Sequence, residues 1–81
     1  MTITVYLHDI LKEKVAVAGK RKNSRLELVM PAGATTADLL DQVGLQPSRV
    51  GMIVTGGRRV GLDYRLQAGD IIQLFAPLAG G

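Results

Sequence analysis

Residues 2–7 alternate with a period of two: Ile3, Val5 and Leu7 fall on one face, and Thr2, Thr4 and Tyr6 on the other. All but Leu7 are β-branched or aromatic, which predicts a strand with one buried face. The same alternation at Leu26, Leu28 and Met30 predicts a second strand, ended by Pro31. If these two pair as a hairpin, residues 8–25 form an unusually long connection. Within it, Ile10, Leu11 and Val15 fit one face of a short helix, while Val15-Ala16-Val17 fit the end of a strand equally well. Gly19 closes either form, and Lys20 to Ser24 read as an exposed loop.

The period then changes. Leu39, Leu40 and Val43 form a helical stripe behind Thr35 and Asp38, a Thr-x-x-Asp start related to the capping box, and Gly44 stops it. A helix of about eight residues is marginal alone and must lay its stripe on the strands. Pro47 and Ser48 make a turn, and Val50 to Thr55 predict a third strand, weakened at its start by Gly51. Gly56-Gly57 accept the positive φ angles of a tight hairpin turn. Arg58 to Val60 therefore return as a fourth strand. Leu62 to Leu66 make a compact connection, Gln67 to Asp70 a turn, and Ile71 to Phe75 the last strand. The expected order is β-β-α-β-β-β, with a turn or small helix before the last strand. Its aliphatic first and last strands form a parallel central pair. This is an α+β β-grasp roll: a mixed four- to five-stranded sheet with one main helix on one face. A β-barrel would need residues 35–44 to be a strand, which their spacing opposes.

Eighty-one residues, 47% hydrophobic and 21% charged, allow one domain, taken as 1–81 with a flexible tail over 77–81. Such a chain buries only roughly 60% of its unfolded surface. There is no cysteine, which excludes disulfide scaffolds, zinc–cysteine sites, iron–sulfur clusters and thiol nucleophiles, and a single histidine excludes a histidine-rich metal site. No apolar run spans a membrane and no signal-peptide pattern opens the chain, so a cytoplasmic monomer is expected. The net charge of +3 is local: Lys12, Lys14, Lys20, Arg21, Lys22 and Arg25 face only Glu13. A phosphate-contacting patch is one reading. The absence of aromatic residues there favours a solvated loop, with no nucleic acid as partner.

Catalytic constellations are lacking. Gly56-Gly57-Arg58-Arg59 has neither the strand–loop–helix context nor the lysine of a phosphate-binding loop. His8 beside Asp9 reads as an exposed strand-end histidine, and Asp70 after Gly69 as turn chemistry. The C-terminus differs. Gly80-Gly81 closely follows a hydrophobic strand, and glycine lacks the Cβ that would keep an extended end out of a narrow active site. Its bare carboxylate can be activated by ATP as an acyl-adenylate.

The run from Leu66 to Gly81, LQAGDIIQLFAPLAGG, resembles the C-terminal signature of the MoaD/ThiS family of ubiquitin-like sulfur carriers. These are the small subunit of molybdopterin synthase and the thiamine-pathway sulfur carrier. The resemblance extends to the element order over most of the chain. It implies that Gly81 is adenylated by an E1-like enzyme and converted to a thiocarboxylate, which donates sulfur to a synthase subunit. Pro77, Leu78, Ala79 and Gly80 would thread the partner's active site. ATP and magnesium would belong to that partner, and this chain would bind no cofactor or metal and be no enzyme itself. Phe75-Ala76-Pro77-Leu78-Ala79 is nearer the molybdopterin-type tail, in which two adjacent prolines are usual and only Pro77 is present here. Ile71 and Phe75, on the outward face of the last strand, would dock the partners. Two alternatives stay open: a protein modifier conjugated through Gly81, and a β-grasp binding module whose Gly-Gly end is incidental.

Overall fold

The computed structural model describes residues 1–8, 20–22 and 25–77. Among the described residues, six strands and one α-helix follow in chain order: β1 (Thr2–Leu7), β2 (Lys20–Lys22), β3 (Arg25–Val29), α1 (Thr36–Val43), β4 (Met52–Thr55), β5 (Arg58–Val60) and β6 (Ile71–Phe75). A 3-10 turn, Pro47–Arg49, precedes β4. The spatial order of the sheet is β2-β3-β1-β6-β4-β5. β1 and β6 lie at its centre and run parallel, with Val5 opposite Ile72 and Leu7 opposite Leu74. The other pairs are antiparallel. This is the β-grasp arrangement that alternation and element order predict.

Alternation decides which side chains meet the helix. Ile3, Val5, Leu26, Ile72 and Leu74 are fully buried against Leu39, Leu40 and Val43 of α1. Burying such a side chain contributes roughly 1.5–3 kcal/mol, so this face supplies most of the driving force available to a small sheet.

The helix ends are built by local chemistry. Thr35 Oγ1 accepts from the Asp38 N–H at 3.3 Å, and the Asp38 carboxylate accepts from the Thr35 N–H at 2.9 Å. The next two amides, Thr36 and Ala37, donate to the Tyr64 and Leu62 carbonyls at 3.0 Å each. All four N–H groups that a helix start leaves unpaired, those of Thr35 to Asp38, are thus satisfied. At the other end Gly44 has φ 83°; its N–H donates to Asp41 O, while Leu45 N–H reaches back to Leu40 O. That is a Schellman ending, with Leu45 buried beneath it.

Two expectations change. The sheet has six strands instead of four or five, because Lys20–Lys22, read as loop, pairs with β3 in the register Lys20↔Glu27, Arg21↔Leu26, Lys22↔Arg25. Strand pairing is made by backbone groups, so three residues without alternation can join the edge that β3 presents. The third strand starts at Met52, two residues late, because Val50 ends the 3-10 turn and Gly51 bends. The turn or small helix expected before the last strand is there as turns, and the 3-10 turn precedes β4. Among the described residues no helix is long and apolar enough to cross a membrane. The alternatives for residues 9–19 lie outside the described residues.

Candidate functional site

The side of the sheet away from α1 carries the other half of each strand's residues. In register, Thr4 faces Ile71, Tyr6 faces Gln73, Val54 faces Gln73, and Met52 faces Phe75. Ile71 is 52% exposed, and Phe75, Gln73, Met52 and Val54 are half-buried. The structure therefore brings Ile71 and Phe75 together on one outward, largely apolar face at the centre of the sheet.

Phe75 is not free on that face. The His8 ring lies flat over it, with centroids 4.4 Å apart and planes within 6°. His8 Nε2 is 3.1 Å from Gln73 Oε1, and its backbone N–H donates to Leu74 O at 2.9 Å. His8 is thus half-buried and engaged, which corrects its reading as an exposed strand-end residue. The signal was hidden because the partners stand near opposite ends of the chain and meet only through the parallel β1–β6 register.

The same end of β6 releases the chain toward its C-terminus. Phe75 O accepts from Gly51 N–H at 2.8 Å, Ala76 packs half-buried against the core, and Pro77 is exposed. Pro77 passes so close to Gly51 that a Cβ there would stand 2.7 Å from its Cα. Gly51, read from sequence only as a weak strand start, is a component of this exit. Leu78, Ala79, Gly80 and Gly81 lie outside the described residues.

At the start of β6 a turn is tied by Asp70, whose Oδ2 accepts from the Tyr64 hydroxyl at 2.9 Å and the Gln67 N–H at 2.8 Å. The Tyr64 phenol is held above its ordinary value of 10.0 by this hydrogen bond, then by burial and by the charge of Asp70, with Arg58 opposing. Asp70 does turn chemistry, as its position after Gly69 predicts. Gly56 and Gly57, with φ 59° and 75°, form the hairpin turn, and a strand follows them instead of a helix. Of the basic stretch, Arg25 is paired with Glu27 at 2.9 Å.

A small β-grasp domain with a largely apolar outward sheet face, and with Ala76 and Pro77 leaving β6 beside it, defines the class: a carrier or modifier fold of the ubiquitin type. The sequence profile described as the ThiS family matches residues 9–81, and the chain belongs to that family. Solved structures similar in fold include three that follow. SAMP1 from Haloferax volcanii is 20% identical, with all of both chains covered and a TM-score of 0.72. A structure of H. volcanii small archaeal modifier protein 1 is 26% identical, with 95% of this chain and 98% of that chain covered and a TM-score of 0.70. A protein of Pyrococcus furiosus described as molybdopterin converting factor, subunit 1, is 21% identical, with the same coverage and a TM-score of 0.69. No curated protein matches the chain. Members of the family are small carriers instead of catalysts.

Proposed function

We propose that this chain is a sulfur carrier whose reacting group is the Gly81 carboxylate. The observation that carries the reading is the Gly80-Gly81 end, set closely beyond Phe75 on a β-grasp domain of the ThiS family. A carboxylate oxygen of Gly81 attacks the α-phosphorus of ATP and pyrophosphate leaves. Hydrosulfide, or a sulfur donor equivalent to it, then attacks the acyl carbon; the bond to the adenylate oxygen breaks, AMP leaves, and a thiocarboxylate remains. No side chain of this protein need act in either step. An E1-like enzyme supplies ATP, magnesium and catalytic groups, and a synthase subunit accepts the sulfur. Both dock on the face of Ile71 and Phe75, while Pro77, Leu78, Ala79 and Gly80 thread the active site. The Phe75-to-Ala79 phrase supports a molybdopterin-type acceptor over a thiamine-type one.

Deleting Gly81, or changing Gly80 to Leu, abolishes ATP–pyrophosphate exchange by the organism's own E1-like enzyme while the melting temperature stays at the wild-type value. Exchange at the wild-type rate by the Gly81 deletion removes the carrier reading and leaves a plain binding module. The likeness to small archaeal modifier proteins favours a second use of the same chemistry, in which a lysine amine takes the place of sulfur on the acyl-adenylate or a derived ester. Conjugates carrying Gly81 in an isopeptide bond, found in the source organism, would establish that use.

A further inference from the structure

Gly51 sits where β4 begins and where the chain leaves β6, and its φ is not in the left-handed region. Conformational freedom therefore does not account for a glycine here; close approach does. A Cβ at this position would stand 2.7 Å from Pro77 Cα, 2.8 Å from Ala76 O and 2.9 Å from Pro77 N. All three are backbone atoms, so no side-chain rotation could relieve the contact. The approach is held from both sides. Gly51 N–H donates to Phe75 O at 2.8 Å, Met52 pairs with Phe75, and Ala76 packs against the core. Pro77 then restricts its own φ.

The geometry points to Gly51 as a positioning residue for the C-terminal end: by admitting the backbone of Ala76 and Pro77 it aims residues 78–81 at the partner's reacting phosphate. This rests on the reading of Gly81 as the adenylated group. Four residues separate Pro77 from the end, a reach of at most about 14 Å. With the sheet face docked and the tail extended, such a short reach leaves little slack to absorb a displaced exit. A misplacement near 1 Å can cost on the order of a hundredfold in rate. A methyl group at position 51 forces the Ala76–Pro77 backbone to shift, and the three atoms nearest it include no side-chain atom of Ile71 or Phe75.

The test compares Gly51→Ala with the wild-type chain in two readouts. The first is independent of activity. Gly81→Cys provides the sole thiol of the chain, and a nitroxide on it broadens the amide signals it approaches. The Gly51→Ala substitution is expected to move that footprint across the sheet while the remaining spectrum stays native. An unchanged footprint overturns the inference. So does a Gly51→Ala chain that no longer folds, which would assign Gly51 to the fold alone. The second readout is ATP–pyrophosphate exchange with the E1-like enzyme, using chains that retain Gly81. Gly51→Ala should lower kcat by about ten- to a hundredfold and leave KM within about twofold. Inserting one glycine after Pro77 should restore slack, so that chains carrying the insertion turn over at matching rates with or without Gly51→Ala. A raised KM with unchanged kcat, or no relief by the insertion, overturns the positioning role. Failure of the wild-type chain to support exchange strikes the carrier reading, while the nitroxide footprint still decides the inference.

Discussion

The two faces of the sheet are made from alternate residues of the same strands and behave in opposite ways. On β6, Ile72 and Leu74 are fully buried under α1, while Ile71, one step away, is 52% exposed. On β1, Val5 joins the core, while His8, just past its end, turns outward and lies over Phe75. The inward face is aliphatic and needs only hydrophobic packing. The outward face mixes aromatic, amide and aliphatic groups tied by a ring stack and a polar contact between His8 and Gln73. A slip of one residue in β6 would exchange the two sets. One face therefore holds the domain together, and its complement is the face on which docking is proposed.

The largest effect that tests this division is on the inner face. Ile72→Ala should cost roughly 2–5 kcal/mol. At about 4–8 °C per kcal/mol for a domain of this size, the melting temperature drops by some 10 °C or more. Ile71→Ala should move it little, and equal losses at the two positions would break the comparison. The next effect is on the outer face. Phe75→Ala forfeits the stack with His8, worth about 0.5–1.5 kcal/mol to folding. It should also weaken binding to the E1-like enzyme by more than about 1 kcal/mol, read by calorimetry. Unchanged affinity would take Phe75 out of the docking face.

The smallest effect concerns what sets the register. Asp70 O accepts from Thr4 N–H at 3.0 Å, and Gly69 N–H donates to Thr2 O at 3.1 Å, so the turn tied by Tyr64 and Asp70 launches β6 beside β1. Tyr64→Phe should lose about 0.5–1.5 kcal/mol. It should also change the alkaline limb of stability. Because the folded phenol titrates above its ordinary value of 10.0, its contribution is complete below that pH and declines as pH rises past it through the raised value. Denaturant melts at stepped alkaline pH should show this decline in the wild-type chain and lack that part of it in the Tyr64→Phe chain.

Much of this was legible where neighbours in sequence are neighbours in space. Thr35, Asp38, Leu39, Leu40, Val43 and Gly44 specify a helix, its face and both its ends within one short segment. The strict alternation at Ile3-Val5-Leu7 marks the buried face of β1. What escaped reading depends on partners far along the chain. Lys20–Lys22 is a strand only because β3 offers it an edge; its own residues have no alternation to detect. His8 reaches Phe75 and Gly51 reaches Pro77 only after the β1–β6 and β4–β6 registers exist. The role proposed for the Gly80-Gly81 end is read from sequence alone, because the chemistry proposed there requires no fold of its own, only freedom from side chains.

The central claim is that all the chemistry of this protein occurs at one terminal carboxylate presented by an inert scaffold. Intact mass tests it most directly, after incubation of the chain with its E1-like enzyme, ATP, magnesium and sulfide. The account predicts a gain of about 16 Da, sulfur for oxygen, confined to the C-terminal peptide and absent when Gly81 is deleted. An unchanged mass, or a gain on any other peptide, would contradict it.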